Sequence, residues 1–393
     1  LGNGSCLDEE GGRVKVAVVG AGPGGSLLAA RLAAGGVEVV LFDASHPREK
    51  PCGGGLTLKA LDALPPEPED DPLPAHRVSR CRFEAEGAAV EVSLGEPMAV
   101  ASRQELDAWL LRRATEAGAR HVAERVVEVA RGEVRTASGR QRFDLIVGAD
   151  GATSLVRRSF LGPFPRERLV MALGFYVPGS APLLVRMTPP LAGYVWLFPR
   201  RDHVGVGICA PLGAVPTRAL VDRLEQEIAT WWPGRANARA VRYAHTIPCP
   251  SPDPRSILEA AGDGFALVGD AAGVADPITG EGIFYALRSA ALLAETLLED
   301  DSPARYPERA LEDFGFDLTR AARLHRHFYS PGFTGRMVRY AGRSRAIRSV
   351  LVDLVLGRQG YRGLERRLLA ALPRFLLESG WWHLTRAESH PTG

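Results

Sequence analysis

A chain of 393 residues with 46% hydrophobic side chains is too long for one simple core and can bury a large composite fold or two domains. A net charge of +2 gives no overall positive field to draw a polyanion, which argues against a dedicated nucleic-acid binder. The five cysteines, Cys6, Cys52, Cys81, Cys209 and Cys249, are odd in number and widely spaced without a C-x-x-C pair, which argues against a disulfide framework or metal site and for a reducing cytoplasm.

No run approaches the ~18 uninterrupted apolar residues that cross a bilayer. Residues 1–13 are polar and Gly-rich and read as a frayed end, not a signal peptide. The basic residues are nearly all arginine; the lysines are Lys15, Lys50 and Lys59.

In chain order, residues 14–19 form an apolar run, 26–34 have helical composition, and 37–42 form a second apolar run: the opening βαβ unit of a parallel sheet. The Pro- and acid-rich stretch 64–74 is a surface loop. Residues 80–84 and 88–94 alternate as antiparallel strands. Residues 103–117 have helical spacing, with Leu106, Trp109 and Leu110 on one face and Ser102 placed to cap. Strands follow at 126–130 and 134–136, a hairpin around Gly132, and at 143–147. Short β runs occupy 170–209, a helix 217–231, a strand 241–247 and a parallel-type strand 265–268. Beyond Gly282 the pattern is helical.

Three segments carry chemistry. Gly20-Ala21-Gly22-Pro23-Gly24-Gly25 is a G-x-G-x-x-G between strand and helix: Gly20 for the tight turn, Gly22 for close approach of a pyrophosphate, Gly25 for helix–strand packing. Asp43 ends the second strand, where an acid accepts hydrogen bonds from ribose hydroxyls. The strand 144–149 ends in Asp150-Gly151, and the strand 265–268 ends in Gly269-Asp270, leading to Pro277 and then Gly280-Glu281-Gly282 before a helix from Ile283. One strand-end carboxylate is ordinary helix capping; two downstream of a dinucleotide motif are not.

These segments resemble the FAD-binding signatures of the flavoprotein superfamily that includes aromatic hydroxylases, flavin halogenases and geranylgeranyl reductases. The resemblance implies a doubly wound Rossmann-like α/β domain for FAD, with Asp270 on the ribityl chain or pyrophosphate and Arg103 near the phosphates. It also implies adenine against the backbone at Val126, and the helix start at Gly280–Ile283 aimed at the flavin N1/C2 edge. The segment Pro51-Cys52-Gly53-Gly54-Gly55 resembles the geranylgeranyl reductases in particular, its glycines clearing a backbone that lies against a flat ring. Tyr194-Val195-Trp196, eight residues, then Gly205-Val206-Gly207 resembles that family's substrate-site pattern, with both aromatics on one strand face.

The expected organisation is a discontinuous FAD domain (14–75, 100–165, 255–300) interleaved with an antiparallel-sheet substrate domain (76–99, 166–254), then a helical region (301–393). By the same resemblance the activity is hydrogenation of C=C bonds in an isoprenoid chain, the substrate being a prenyl lipid or prenyl diphosphate. A flavin monooxygenase or halogenase is the alternative. No second G-x-G-x-x-G is present, so NADPH binds transiently or a ferredoxin-like carrier supplies electrons. Cys52 is expected to position substrate or face the flavin; a thiol of pKa about 8.5 is a poor acid toward an alkene, and the residues identify no proton donor. Arginines recurring from Arg320 to Arg374 among apolar residues suggest a surface at the inner face of a membrane.

Overall fold

The computed structural model describes residues 14–50, 52–233, 241–300 and 302–387. Pro51, the first residue of the Pro-Cys-Gly-Gly-Gly segment, and Cys6 lie outside the described residues.

The apolar strands Lys15–Val19, Glu38–Phe42, Leu145–Gly148 and Phe265–Leu267 assemble with Arg120–Val122 and Ala261–Gly262 into a six-stranded sheet. Its pairs are parallel except for the edge hairpin formed by Ala261–Gly262 and Phe265–Leu267. Such strands are buried on both faces, which is why they read as continuous apolar runs. The helix Pro23–Ala34 begins at the proline, three residues before its helical composition shows, and packs between Arg103–Glu116 and Ile283–Asp300. Trp109 is fully buried, and its indole N–H donates to the Asp71 carbonyl at 3.0 Å, tying the 64–74 loop to the domain.

The second sheet has eight strands, in the order Val241–Pro248, Leu169–Pro178, His203–Pro211, Tyr194–Pro199, Leu184–Met187, Ala75–Ala85, Ala88–Ala101, Gly55–Leu56. It is not wholly antiparallel: Leu184–Met187 pairs parallel to Ala75–Ala85, where the two sequence blocks meet. The expected boundaries also move. Residue 99 falls inside the strand Ala88–Ala101, and Gly55–Leu56, assigned from sequence to the FAD domain, is hydrogen-bonded into this sheet. A third sheet of Glu128–Ala130, Glu133–Thr136 and Gly139–Arg142 extends the expected hairpin by one strand too polar to register as β.

Alternation sorts the second sheet's faces. Val195, Leu197, Val206 and Ile208 pack under the helix Thr217–Trp231 through Leu220, Leu224 and Ile228. Tyr194, Trp196 and Phe198 point the other way. The helices Phe333–Arg343 and Arg345–Val355 close over Phe83, Val92 and Leu94 with Val338, Leu351 and Val352.

Candidate active site

One cavity of about 1030 Å³ runs between the two large sheets and under the C-terminal helices, at the upper end for a ligand site. Its wall includes Gly20, Gly22, Gly24, Asp43, Arg103, Val126, Asp150, Gly269, Asp270, Gly280, Gly282 and Ile283 together with Cys52, Gly53, Gly54, Tyr194 and Trp196. Of the residues singled out in the sequence, Gly25, Gly205, Gly207 and Pro277 do not line it.

At the nucleotide end the glycines divide their work. Gly20 has φ of +104°, and a Cβ there would stand 2.4 Å from the Ala149 carbonyl oxygen. A Cβ on Gly25 would stand 1.9 Å from the Gly20 oxygen, so Gly25 acts by packing, from behind the wall. A Cβ on Gly22 would meet nothing nearer than His46 Nε2 at 3.9 Å and Arg103 at 4.0 Å. That open pocket in front of a helix N-terminus, with Arg103 on its rim, is the space a pyrophosphate needs.

Asp43 is engaged by more than the sequence suggested. It accepts the Ala21 N–H at 2.9 Å, the Ser45 N–H and hydroxyl at 2.7 Å each, and His46 Nδ1 at 2.6 Å. His46 Nε2 faces Asp107 at 3.1 Å, and Asp107 takes Arg103 through two hydrogen bonds of 2.9 and 2.8 Å. Burial works against the charge on Asp43, but His46 and the Ala21 and Ser45 N–H groups hold it well below the carboxylate range. Burial likewise lowers His46, and Asp107 with Asp43 outweighs it and raises the imidazole. The chain Asp43–His46–Asp107–Arg103 thus joins the acid at the end of the second strand to the arginine beside the glycine loop.

The sign of each shift predicts a stability profile. The raised imidazole stabilises fully below its ordinary pKa, and that part is lost as pH rises through the raised value. The lowered Asp43 stabilises above the ordinary carboxylate pKa and is lost as pH falls through its depressed value. Thermal midpoint against pH should therefore decline on both sides, and His46→Gln should lose the alkaline limb and weaken the acid one, which the Ala21 and Ser45 N–H groups then carry. An unchanged alkaline limb in that variant contradicts the linkage.

Arg103 starts its helix without the expected Ser102 cap. The Ser102 hydroxyl instead donates to Glu49 at 2.5 Å, and Glu49 accepts the Arg103 N–H at 3.2 Å, so a carboxylate from a distant loop caps the helix. Asp150 does cap: one oxygen accepts the Leu155 N–H at 2.6 Å, and the other is buried without a partner. Asp270 receives Lys50 Nζ at 2.9 Å. Burial opposes its charge, and Lys50 and His245 overcome it, holding the carboxyl far below its usual range.

At the other end, the Cys52 thiol is half-buried and accepts the Gly54 N–H at 3.2 Å, while Arg200 grips the Cys52 carbonyl at 2.8 Å. The glycine triplet has a protein-internal reason. A Cβ on Gly53 or Gly55 would fall 2.6 or 2.8 Å from the Phe198 ring, and one on Gly54, at φ +82°, would fall 2.1 Å from the Ala101 oxygen. The flat ring against which this backbone lies is Phe198. Tyr194 and Trp196 share a face with centroids 5.8 Å apart, and Gly207 is where the indole crosses the next strand, since a Cβ there would sit 2.0 Å from it. The Tyr194 hydroxyl donates to the Thr279 carbonyl, joining this wall to the loop before Gly280.

Sequence reasoning passed over His46, Glu49, Thr57 and Arg200, and it named Lys59 and Glu281 without giving either a role in a reductase site. Lysine was the available signal: in a chain whose basic residues are nearly all arginine, two of three lysines line this cavity.

A doubly wound sheet with a glycine-lined nucleotide cradle, opening onto an apolar wall, defines an FAD-dependent oxidoreductase. No family model matches the chain. It is 30% identical over 331 residues to the chloroplastic geranylgeranyl diphosphate reductase of Oryza sativa subsp. japonica, covering 73% of this chain and 67% of that protein. It is 30% identical over 338 residues to digeranylgeranylglycerophospholipid reductase 1 of Methanopyrus kandleri, covering 76% and 86%. A geranylgeranyl bacteriochlorophyll reductase-like protein of Thermoplasma acidophilum shares the fold, with a TM-score of 0.72 at 20% identity over 92% of this chain and all of that one. The chain belongs to the geranylgeranyl reductase family.

Proposed function

We propose that this enzyme hydrogenates C=C bonds of an isoprenoid chain carried by a prenyl lipid or prenyl diphosphate. The observation that carries the reading is the continuity of the cavity: the nucleotide cradle and an apolar wall are two ends of one space. The wall is made by Phe83, Met98, Trp196 and Phe198 of the second sheet facing Leu351 and Leu354 of the helix Arg345–Val355.

Gly20–Gly25 and the N-terminus of Pro23–Ala34 would hold the FAD pyrophosphate, Asp43 the ribose, the Val126 backbone the adenine, and Asp270 with Lys50 the ribityl side. When bound and reduced, FAD supplies a hydride equivalent at N5. Tyr194 and Trp196 hold the prenyl chain by apolar contact and exclude water, and Cys52, fixed by Gly54 and Arg200, faces the same space. An isolated alkene has no carbonyl to polarise, so the wall's work is to keep the reacting carbon within about 3.5 Å of the donor in a dry site.

Electrons come from NADPH or a ferredoxin-like carrier. The membrane reading is supported by the last helix, Leu364–Ala387, where Leu369 is 68% exposed beside Arg366, and by exposed Arg336 and Arg339 beside Tyr340 on the helix Phe333–Arg343. Other arginines of the stripe are paired within the protein: Arg320 with Glu365, Arg358 with Glu96 and Arg367 with Asp353. Among the described residues no helix is long and apolar enough to cross a membrane.

Reduced enzyme given geranylgeranyl diphosphate or a geranylgeranylated glycerophospholipid should yield products heavier by two hydrogens per double bond, without oxygen uptake. Products carrying oxygen, formed with matching oxygen consumption, would favour the monooxygenase or halogenase alternative.

A further inference from the structure

The cavity reaches the surface in two places. Exposed residues of its wall cluster at the nucleotide end, Arg48, Arg125, Val127 and Arg158 among them, and recur at a single described position elsewhere, Gly360. Gly360 lies in the wall between Gln359 and Tyr361, against Asp317 of the helix Phe316–Phe328. Inward from this second mouth the wall is apolar and aromatic. Leu354 and Phe328 pack with Tyr361, the Tyr329 hydroxyl donates to the Ile278 carbonyl at 2.7 Å, and Tyr194 takes the next carbonyl, that of Thr279. The path therefore leads from Gly360 to the Tyr194 and Trp196 face.

The surface around this mouth is unlike that around the other. Of the nine large hydrophobic side chains exposed among the described residues, five lie on the C-terminal helices: Phe316, Tyr340, Leu368, Leu369 and Leu372. Phe316 adjoins Asp317. Leu364 packs with Tyr361 at the mouth, and Leu368 and Leu372 follow it at successive turns of the helix Leu364–Ala387, so the leucines continue outward from the opening. Exposed Arg362 and Arg366 stand beside them. The Arg362 guanidinium donates to the carbonyls of Glu312 and Asp313, at 3.2 and 3.3 Å, and lies over the Phe316 ring, with no carboxylate paired to it among the described residues. Leucines flanked by such arginines suit an anionic bilayer, where the leucines enter the acyl boundary and the arginines meet lipid phosphates.

Charge decides how far a head group follows its chain inward. Away from the nucleotide cradle, the described wall holds one ammonium or guanidinium group, Lys59, and Glu281 already binds it at 2.7 Å. Asp276 and Asp317 add two further carboxyls. A phosphate drawn along this path would shed its water among acids that outnumber the cation, which is costly. At the mouth it stays hydrated, beside Arg362 and Arg366.

We propose that the prenyl chain passes tail first from a bilayer through the mouth at Asp317 and Gly360, its head group staying outside by Arg362 and Arg366. The substrate is thus a membrane-resident prenyl lipid. The inference rests on the reading above that the cavity holds a prenyl chain.

The test uses the full chain loaded with oxidised FAD, so that nothing is reduced. Vesicles of phosphatidylcholine and phosphatidylglycerol carry a geranylgeranylated glycerophospholipid with a photoactivatable diazirine, placed either beside the head group or at the far end of the prenyl chain. The head-group probe should label residues 354–369, and the chain-end probe the strand Tyr194–Pro199. The reverse pattern, or labelling of neither segment, would overturn the proposal. Gly360→Trp, whose Cβ meets nothing nearer than the movable Asp317 carboxylate, should cut chain-end labelling by about tenfold or more, with FAD content unchanged. Leu369→Asp combined with Leu372→Asp should weaken flotation with the vesicles roughly tenfold or more and leave labelling in detergent micelles as in wild type. Undiminished labelling in Gly360→Trp would remove the portal, and undiminished flotation of the double variant would remove the bilayer. Wild type that labels as expected, yet leaves the chain unsaturated once reduced, would sink the hydrogenation reading and keep the portal.

Discussion

Replacing Asp107 with alanine should cost about 3–5 kcal/mol of stability, the usual penalty for leaving buried charge unpaired. Asp107 is fully buried and faces two cationic groups, Arg103 through both of its carboxylate oxygens and His46 at 3.1 Å. Removing it strands the Arg103 guanidinium, itself 4% exposed, with no other carboxylate bonded to it among the described residues. Urea unfolding reads the loss as a lower midpoint at unchanged slope. The double variant Asp107→Leu with Arg103→Met should recover much of it, because an apolar pair removes both desolvation penalties together. A single variant as stable as wild type would show that Arg103 finds water, and that the four-residue chain contributes little.

Gly25→Ala should weaken FAD binding by up to about 100-fold although Gly25 touches no part of the cavity. The added methyl would stand 1.9 Å from the Gly20 oxygen and 3.0 Å from Ala149 Cβ, against backbone that cannot rotate away. The helix Pro23–Ala34 must shift off the strand, taking its N-terminus with it. Overpacking of this kind costs up to about 3 kcal/mol, or about 100-fold in affinity if it falls wholly on the bound state. Titration of apoprotein with FAD measures it. Gly22→Ala is the control for position: its methyl meets no protein atom within 3.9 Å, so any loss of affinity there comes from crowding the cofactor. Equal affinity of Gly25→Ala and wild type would contradict the packing role.

What the sequence disclosed was local in character. The glycine loop, the strand-end acids and the Tyr-x-Trp strand each declare themselves within a few residues, because turn geometry, strand period and helix start leave short-range marks. What it withheld depends on contacts between distant segments. Lys50 meets Asp270 across 220 positions, Thr57 meets Glu281 across 224, and Arg200 meets Glu49 across 151. Ser102 had the right residue type and place for a cap, yet Glu49 displaced it because a carboxylate is the stronger acceptor for helix N–H groups. The glycine triplet shows a subtler limit: the pattern revealed that bulk is forbidden there, but the excluding ring, Phe198, lies some 140 residues on and across a sheet.

The most direct test of the account is to bleach the FAD-loaded enzyme anaerobically and mix it, still without oxygen, with a geranylgeranyl compound. The yellow flavin absorbance should return in step with the gain of two hydrogens per reduced double bond. Absorbance that stays bleached until air is admitted, with the prenyl chain unsaturated throughout, would contradict it.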